Sequence, residues 1–219
     1  NKQNSMLSNL PYYLVFRKIE TLHREIIESF KVKPNCFRAG RFGFNSTVAK
    51  AIYDIGYRVD TSVTPFVDWG MYKGPDFRES PHHIYRFKPD NILSMKHDGG
   101  LLEVPGTIGF LQQNFVLCYK MTQWMSVGIL AQIRLKGILD RMRVINLRWL
   151  SPESEGGEDM VALAKNFLVR GCSHLNMSFH STSLLPGKGP YVRSQRELES
   201  FLKNIEKLLA MPDLRVKMG

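Results

Sequence analysis

Cysteine is scarce in this chain. Cys36, Cys118 and Cys172 are odd in number and far apart, which excludes a disulfide framework and the paired spacing of a structural zinc site. Buried, reduced thiols are expected, and with them a reducing, cytoplasmic location. Long apolar runs are missing too. The longest, 124–135, is broken by Ser126, Gly128 and Gln132, so no membrane span is expected. The chain starts Asn1-Lys2-Gln3-Asn4 with no apolar core behind it, unlike a signal peptide. GxSxG, HExxH, GxGxxG and GxxxxGK[ST] are all absent, which removes the serine-hydrolase elbow, the zincins and the common nucleotide loops. Pro186-Gly187-Lys188-Gly189-Pro190 lacks the first glycine and the hydroxyl of a phosphate loop and predicts a rigid turn. There is no internal repeat, low-complexity tract or clear domain boundary.

Acidic residues are outnumbered, 20 against 30 lysines and arginines, leaving a net charge of +10. Much of the excess lies in Arg134, Lys136, Arg141, Arg143 and Arg148, opposed by Asp140 alone. A basic face can draw nucleic acid, anionic lipid or acidic polysaccharide. Here Leu135, Ile138, Leu139 and Met142 are interleaved at helical spacing. The segment therefore predicts the solvated side of an amphipathic helix, and no nucleic-acid partner.

What is present is an alternation of strand and helix. The stretch 34–65 holds most of the information. Cys36-Phe37 runs into Arg38-Ala39-Gly40-Arg41, and Asn45-Ser46-Thr47 then offers a helix cap. Val48, Ala51, Ile52 and Ile55 follow at helical spacing, Gly56 stops the helix, and Val59 to Val63 forms a strand closed by Pro65. This βαβ unit places Arg38 and Asp60 at the ends of neighbouring parallel strands, where such folds keep their chemistry. Arg38 and Arg41 fit a solvated loop equally well, although the glycines among them permit close approach of a ligand.

Before this unit, Val15, Phe16, Ile19, Leu22, Ile26, Ile27 and Phe30 make the apolar stripe of a helix over 15–30. After it, 66–100 holds prolines and glycines without lasting periodicity and predicts a long irregular loop, functional or a lid. Leu101-Leu102-Glu103-Val104 predicts a short strand cut off by Pro105. Residues 115–142 predict helix interrupted near Gly128 and Gly137, 144–149 a strand, and 161–168 a helix ended by Gly171. Leu175, Met177 and Phe179 alternate with polar residues, so this strand sets His180 at its C-terminal end. Ser194 and Glu197 open the last helix with a capping box. The pattern argues for an α/β fold with parallel strands alternating with helices.

His82-His83 and His97-Asp98 predict surface groups, His23 lies on the polar side of its helix, and His174 is structural. His180, followed by Ser181-Thr182-Ser183, is placed for proton transfer, or is a hydrogen-bonded rim histidine.

In this order FRAGRFGF, GYRVDTSVTPFVDW, LLEVP and NMSFHSTSLLPG resemble the polysaccharide deacetylases of the NodB-homology type, in the branch associated with polysaccharide biosynthesis. The resemblance covers about 10–209 in outline. It implies one domain over 1–219, the C-terminal part of a distorted barrel of seven β/α units. The implied activity is metal-dependent hydrolysis of acetyl groups on a polysaccharide or glycan, usually with zinc. Arg38 falls on the motif that holds the catalytic aspartate, and His180 on that of the general acid. The acidic motif falls on Asp60 or on Asp68. Arg41, Asp68 and Trp69 are the implied substrate contacts.

The family's aspartate pair and metal-binding histidines should precede the first helix, yet residues 1–14 hold no Asp, Glu or His. No metal ligand or zinc is therefore assigned to this chain alone. The resemblance implies an N-terminally incomplete enzyme or an inactive remnant. Two other functions fit the same residues: glycan binding without hydrolysis, with Trp69, Tyr72 and Trp149 as stacking surfaces, and polyanion binding on the basic face.

Overall fold

In the computed structural model, which describes residues 2–126, 135–212 and 214, Pro11 stands in extended backbone and opens helix α1 (Tyr12–Phe30). A proline here costs nothing, because the first turn of a helix has no acceptor for its N–H. The buried residues of α1 are Val15, Ile19 and His23, while Leu22 and Phe30 face solvent. Of the other residues of the expected stripe, Phe16 packs against the core and Ile26 and Ile27 are half-buried. His23 is a correction. It is 8% exposed, sits edge-on to the Tyr57 ring at 5.2 Å, and its Nδ1 has no hydrogen-bond partner.

The contacts divide the chain into two compact units, Asn1–Gly106 and Thr107–Gly219. In the first, strand β1 (Cys36–Phe37), helix α2 (Ser46–Ile55) and strand β2 (Val59–Asp60) form the expected βαβ unit. The two strands are parallel, with Cys36 opposite Val59 and Phe37 opposite Asp60. The Asn45 side chain accepts the Val48 N–H at 3.1 Å to start α2. Gly56 ends α2 at φ 109°, donating to Ile52 O; this conformation is cheap only for glycine. Asn45→Ala should cost about 1 kcal/mol, measured as a lower midpoint in urea unfolding. An unchanged midpoint would mean that the cap contributes nothing to α2.

Strands β3 (Tyr85–Phe87) and β4 (Leu101–Glu103) complete a sheet of order β1-β2-β4-β3. β4 runs parallel to β2, and β3 antiparallel to β4. The core gathers Val15, Ile19, Phe44, Val48, Ile52, Tyr57, Phe77, Phe87 and Leu101. Residues 66–100 are therefore not one irregular loop: they supply β3 and the fully buried Phe77 and Phe87. A three-residue strand leaves too short a pattern to be read as periodic.

The second unit begins with β5 (Ile108–Phe110), followed by α3 (Phe115–Met125) and α4 (Leu135–Arg141). Next come β6 (Leu147–Trp149), α5 (Gly157–Val169) and α6 (Gln195–Leu209). β5 and β6 pair antiparallel. A Cβ at Gly109 would lie 2.6 Å from the Phe115 ring, so this strand needs glycine where α3 packs on it. Helix α4 runs through Gly137, where a break was expected, while Gly128 and Arg134 lie outside the described residues. Half of the expected capping box is present: Ser194 Oγ accepts the Glu197 N–H, whereas Glu197 accepts from the Arg193 N–H, one residue before the cap.

The molecule is thus α/β, with parallel strands in its four-stranded sheet. Parallel order does not extend to β3 or to the β5–β6 pair, and neither sheet closes on itself. No helix among the described residues is long and apolar enough to cross a membrane. Residues 175–179 are not a strand. Thr107 N donates to Asn176 O and Asn176 N to Thr107 Oγ1, while Ser178 N donates to Leu150 O, contacts with separate places rather than a strand pairing.

Candidate functional site

The register of the first sheet lines up one residue from each strand: Phe37, Asp60, Glu103 and Tyr85. Three of them end β1, β2 and β4, and Arg38 follows directly on the first. Asp60 and Glu103 have no solvent exposure. Asp60 Oδ2 accepts the Ser62 N–H at 2.7 Å and Oδ1 accepts the Ser62 hydroxyl at 2.9 Å. Ser62 Oγ in turn accepts the Ala39 N–H at 2.8 Å. Glu103 Oε1 accepts the Val63 N–H at 3.0 Å, while Oε2 receives no donor. Burial pushes both carboxyls upward, and the charge of Asp60 pushes Glu103 further. Asp60 is held back by its bonds from Glu103 and Ser62. With no exposed atom, Asp60 acts through the groups it touches rather than on a ligand.

Arg38 sits with its guanidinium over the Phe42 ring, 4.9 Å from the centroid. Desolvation there lowers its pKa, and the negative charge of Asp60 opposes the shift. Phe42 stacks on Trp69 at 5.2 Å, and Trp69 Nε1–H donates to Thr64 Oγ1 at 2.9 Å. Trp69 is also 6.3 Å from Tyr72, whose ring carries the Arg41 guanidinium at 5.4 Å. Arg41 Nη1–H donates to Ser5 Oγ at 3.0 Å. Arg41 and Phe42 both adopt left-handed backbone, at φ 57° and 58°. Asp68 is exposed, accepts the Gly70 N–H at 2.7 Å and lies 3.7 Å from Arg78. The structure thus brings Arg38, Arg41 and Trp69 into one aromatic and guanidinium surface. The charge of Asp60 acts on Arg38 from the neighbouring strand end, and Asp68 is the turn residue beside Trp69.

His180 belongs to the second unit. Its backbone N–H donates to Glu153 Oε1 at 2.8 Å, and its Nδ1 is 2.9 Å from Glu153 Oε2. Ser183 Oγ–H donates to the same Glu153 Oε1. The imidazole stacks on Tyr191 at 5.2 Å and 14°. Glu153 is 7% exposed in its side chain and His180 66%. A buried carboxylate therefore fixes Nδ1 as the protonated ring nitrogen and leaves Nε2 to meet a ligand. His180 stands not at a strand end but at the start of the 3₁₀ turn Ser181–Leu184.

No protein family, curated protein or solved structure matches the chain. Among the described residues, no group of three or more His, Cys, Asp or Glu side chains is arranged to hold a metal. His82 stacks on Phe66, Asp98 pairs with Lys88, and His174 bonds Ser173.

A cavity of about 800 Å³ runs beside α2, lined by Tyr12, Lys50, Tyr53, Asp54, Lys88 and Asp98 among others, and by none of the strand-end residues. Lys50 pairs with Asp54 and Lys88 with Asp98, and Asp90 adds a further carboxylate. Tyr12 donates to Asp54 at 2.6 Å, and this bond, with some burial, pushes the phenol up to about 12. Both lysines of the lining are already paired, so it makes a poorer candidate than the strand ends.

Two residues of evident consequence escaped sequence reasoning. Glu103 carried a signal, a lone acid at a core-facing position of an apolar strand. Glu153 carried none, since it lies in the acidic loop 153–159 and meets His180 only through the fold. The basic face also needs correcting. Arg148 is a strand residue, 15% exposed in its side chain, bonded to Asp140 at 2.7 Å and Asp159 at 2.8 Å, with Glu155 at 3.1 Å. Arg143 pairs with Asp159. Arg148 is committed inside the protein and Arg143, though exposed, is engaged by Asp159, so the two offer little to a polyanion.

Proposed function

We propose that this protein takes part in hydrolytic removal of acetyl groups from a polysaccharide or glycan, in a fold of which the parallel strands β1, β2 and β4 form part of a larger β/α barrel. The observation that carries the proposal is His180, an exposed imidazole whose Nδ1 is tied to a buried carboxylate. Hydrolysis of an acetamide needs a proton delivered to the leaving amine, and Nε2 of such a histidine is suited to hold and transfer it. Arg38 and Asp60 support the proposal by their place at the ends of adjacent parallel strands. The surface formed by Phe42, Trp69 and Tyr72 under two guanidinium groups suits the C–H faces and hydroxyls of a sugar.

The residues described do not fit the zinc site that the resemblance implies, so no step is routed through a metal. No residue of this chain is assigned as the attacking water's base or as a metal ligand. Cytoplasmic location remains part of the proposal.

Acetylated chito-oligosaccharides offered to the protein in its longest natural form decide the matter. Release of acetate, with loss of acetyl groups seen by mass spectrometry, is the expected result. Sugar binding without acetate release would overturn the hydrolytic proposal and select glycan binding, for which the aromatic surface alone would suffice. Neither binding nor release would overturn both.

A further inference from the structure

We propose that Glu103 is a positioning residue: it shares one proton with Asp60 across neighbouring strand ends, and through Ser62 this pair fixes the backbone that carries Arg38. The inference does not depend on the deacetylase proposal, because it concerns the internal geometry of the first unit.

Two fully buried carboxyl groups stand opposite one another on β2 and β4. Two carboxylates without solvent repel, and a bond between two acids exists only when one of them carries a proton. The donors around them show which one does. Asp60 receives an N–H and an O–H from Ser62, the environment of an ionised group. Glu103 receives a single N–H, from Val63 on Oε1, and its Oε2 receives nothing from the protein. An oxygen buried without a donor is costly as a carboxylate oxygen but satisfied as a hydroxyl that donates to its neighbour. Glu103 is therefore the acid of the pair, and Asp60 its carboxylate.

The surroundings agree from every strand of the sheet. On β1 lie Cys36 and, just past its end, the Arg38 guanidinium; burial and the charge of Asp60 both push the Cys36 thiol upward. On β3 lies Tyr85, whose hydroxyl donates to Ile92 O at 2.7 Å and is held protonated by burial and by the charge on the pair. One positive group faces one shared negative charge. A second negative charge would have no partner.

The connection to Arg38 is a chain of hydrogen bonds. Glu103 holds the Val63 N–H and stands opposite Asp60 across the strand pair, Asp60 holds both donors of Ser62, and Ser62 Oγ holds the Ala39 N–H. The peptide leaving Arg38 is thus tied to β2 and β4 together. Neither acid reaches solvent, so their effect on a ligand passes through Arg38.

The test pairs Glu103→Gln with Glu103→Leu in the full chain. Glutamine keeps an oxygen for Val63 and an N–H for Asp60 but has no proton to share, whereas leucine keeps none of these. Carboxyl-carbon NMR should show one member of the wild-type pair still protonated near neutral pH, and the Asp60 titration should move to higher pH in Glu103→Gln, which has no proton to share. Hydrogen exchange at Ala39 N–H should stay slow in Glu103→Gln and rise about tenfold or more in Glu103→Leu, the loss of one buried hydrogen bond. An Asp60 titration unmoved by Glu103→Gln would overturn the shared proton. Ala39 exchange equally slow in both variants would overturn the positioning role. Should Glu103→Leu fail to fold, the Glu103→Gln titration and Ala39 exchange in Asp60→Asn decide: exchange as slow as in wild type overturns the role, and exchange about tenfold faster supports it.

Discussion

His180→Ala should lower acetate release by about 100-fold or more, the usual contribution of a general acid, while leaving the thermal unfolding curve nearly unchanged. The two halves of this expectation have separate origins. The imidazole is 66% exposed in its side chain and packs chiefly on the exposed Tyr191, so removing it uncovers little. Its backbone N–H keeps the bond to Glu153, and Ser183 continues to hold the same carboxylate. Glu153→Gln should lower turnover by less, because the amide oxygen still accepts from Nδ1–H but the charge is gone. Turnover unaltered in His180→Ala would remove this residue from the chemistry. Equal loss of turnover and stability would make it a structural residue.

Arg148→Met should cost about 3–5 kcal/mol of stability at neutral pH, the range for leaving a buried charge without its partner. The guanidinium is 15% exposed and meets Asp140, Glu155 and Asp159 from β6. Burial disfavours the charged form of Asp140 and Asp159, but hydrogen bonds from Arg148 outweigh it and hold both below the usual carboxylate range. Such depressed groups stabilise above their unfolded value, near pH 4, and lose that contribution as pH falls through the folded value. Glu155 behaves oppositely. Burial pushes it up to about 7 against the pull of Arg148, so its contribution is present at low pH and is lost as pH rises through that value. The deficit of Arg148→Met should therefore be small near pH 3 and grow toward neutrality. Arg143→Ala is the control: its side chain is 62% exposed, and the loss should stay within about 1 kcal/mol. A deficit in Arg148→Met that does not change between acid and neutral pH would show that packing, not charge, accounts for it.

The first unit was more legible than the second, for a physical reason. From Cys36 to Asp60 every structural decision is local: a cap three residues from its donor, a glycine at a left-handed stop, strands joined by one short helix. Local chemistry is written in local sequence, and the parallel pairing follows from the crossover. The second unit depends on partners far along the chain. The segment 175–179 alternates like a strand yet bonds Thr107 at Asn176 and Leu150 at Ser178, partners that lie far apart along the chain. Arg148 sits among basic residues in the sequence but among carboxylates in space. The same division holds for the site. Arg38 and Asp60 could be placed from a βαβ pattern, whereas Glu103 and Glu153 owe their roles to register and to packing, neither of which is visible before the chain is folded. His23 failed for another reason: polar residues are normally assigned to the outer side of a helix, and this one is covered.

The paired left-handed turn at Arg41 and Phe42 bears on how the surface around Trp69 would change under selection. Each side chain there pays for a conformation that glycine adopts freely, on the order of 1 kcal/mol apiece. A population screened for heat resistance alone should drift toward glycine at Arg41, shedding the cation over Tyr72, while Phe42 is held by its packing on the core and on Trp69. A population screened for sugar affinity should keep both residues and tolerate the weaker scaffold.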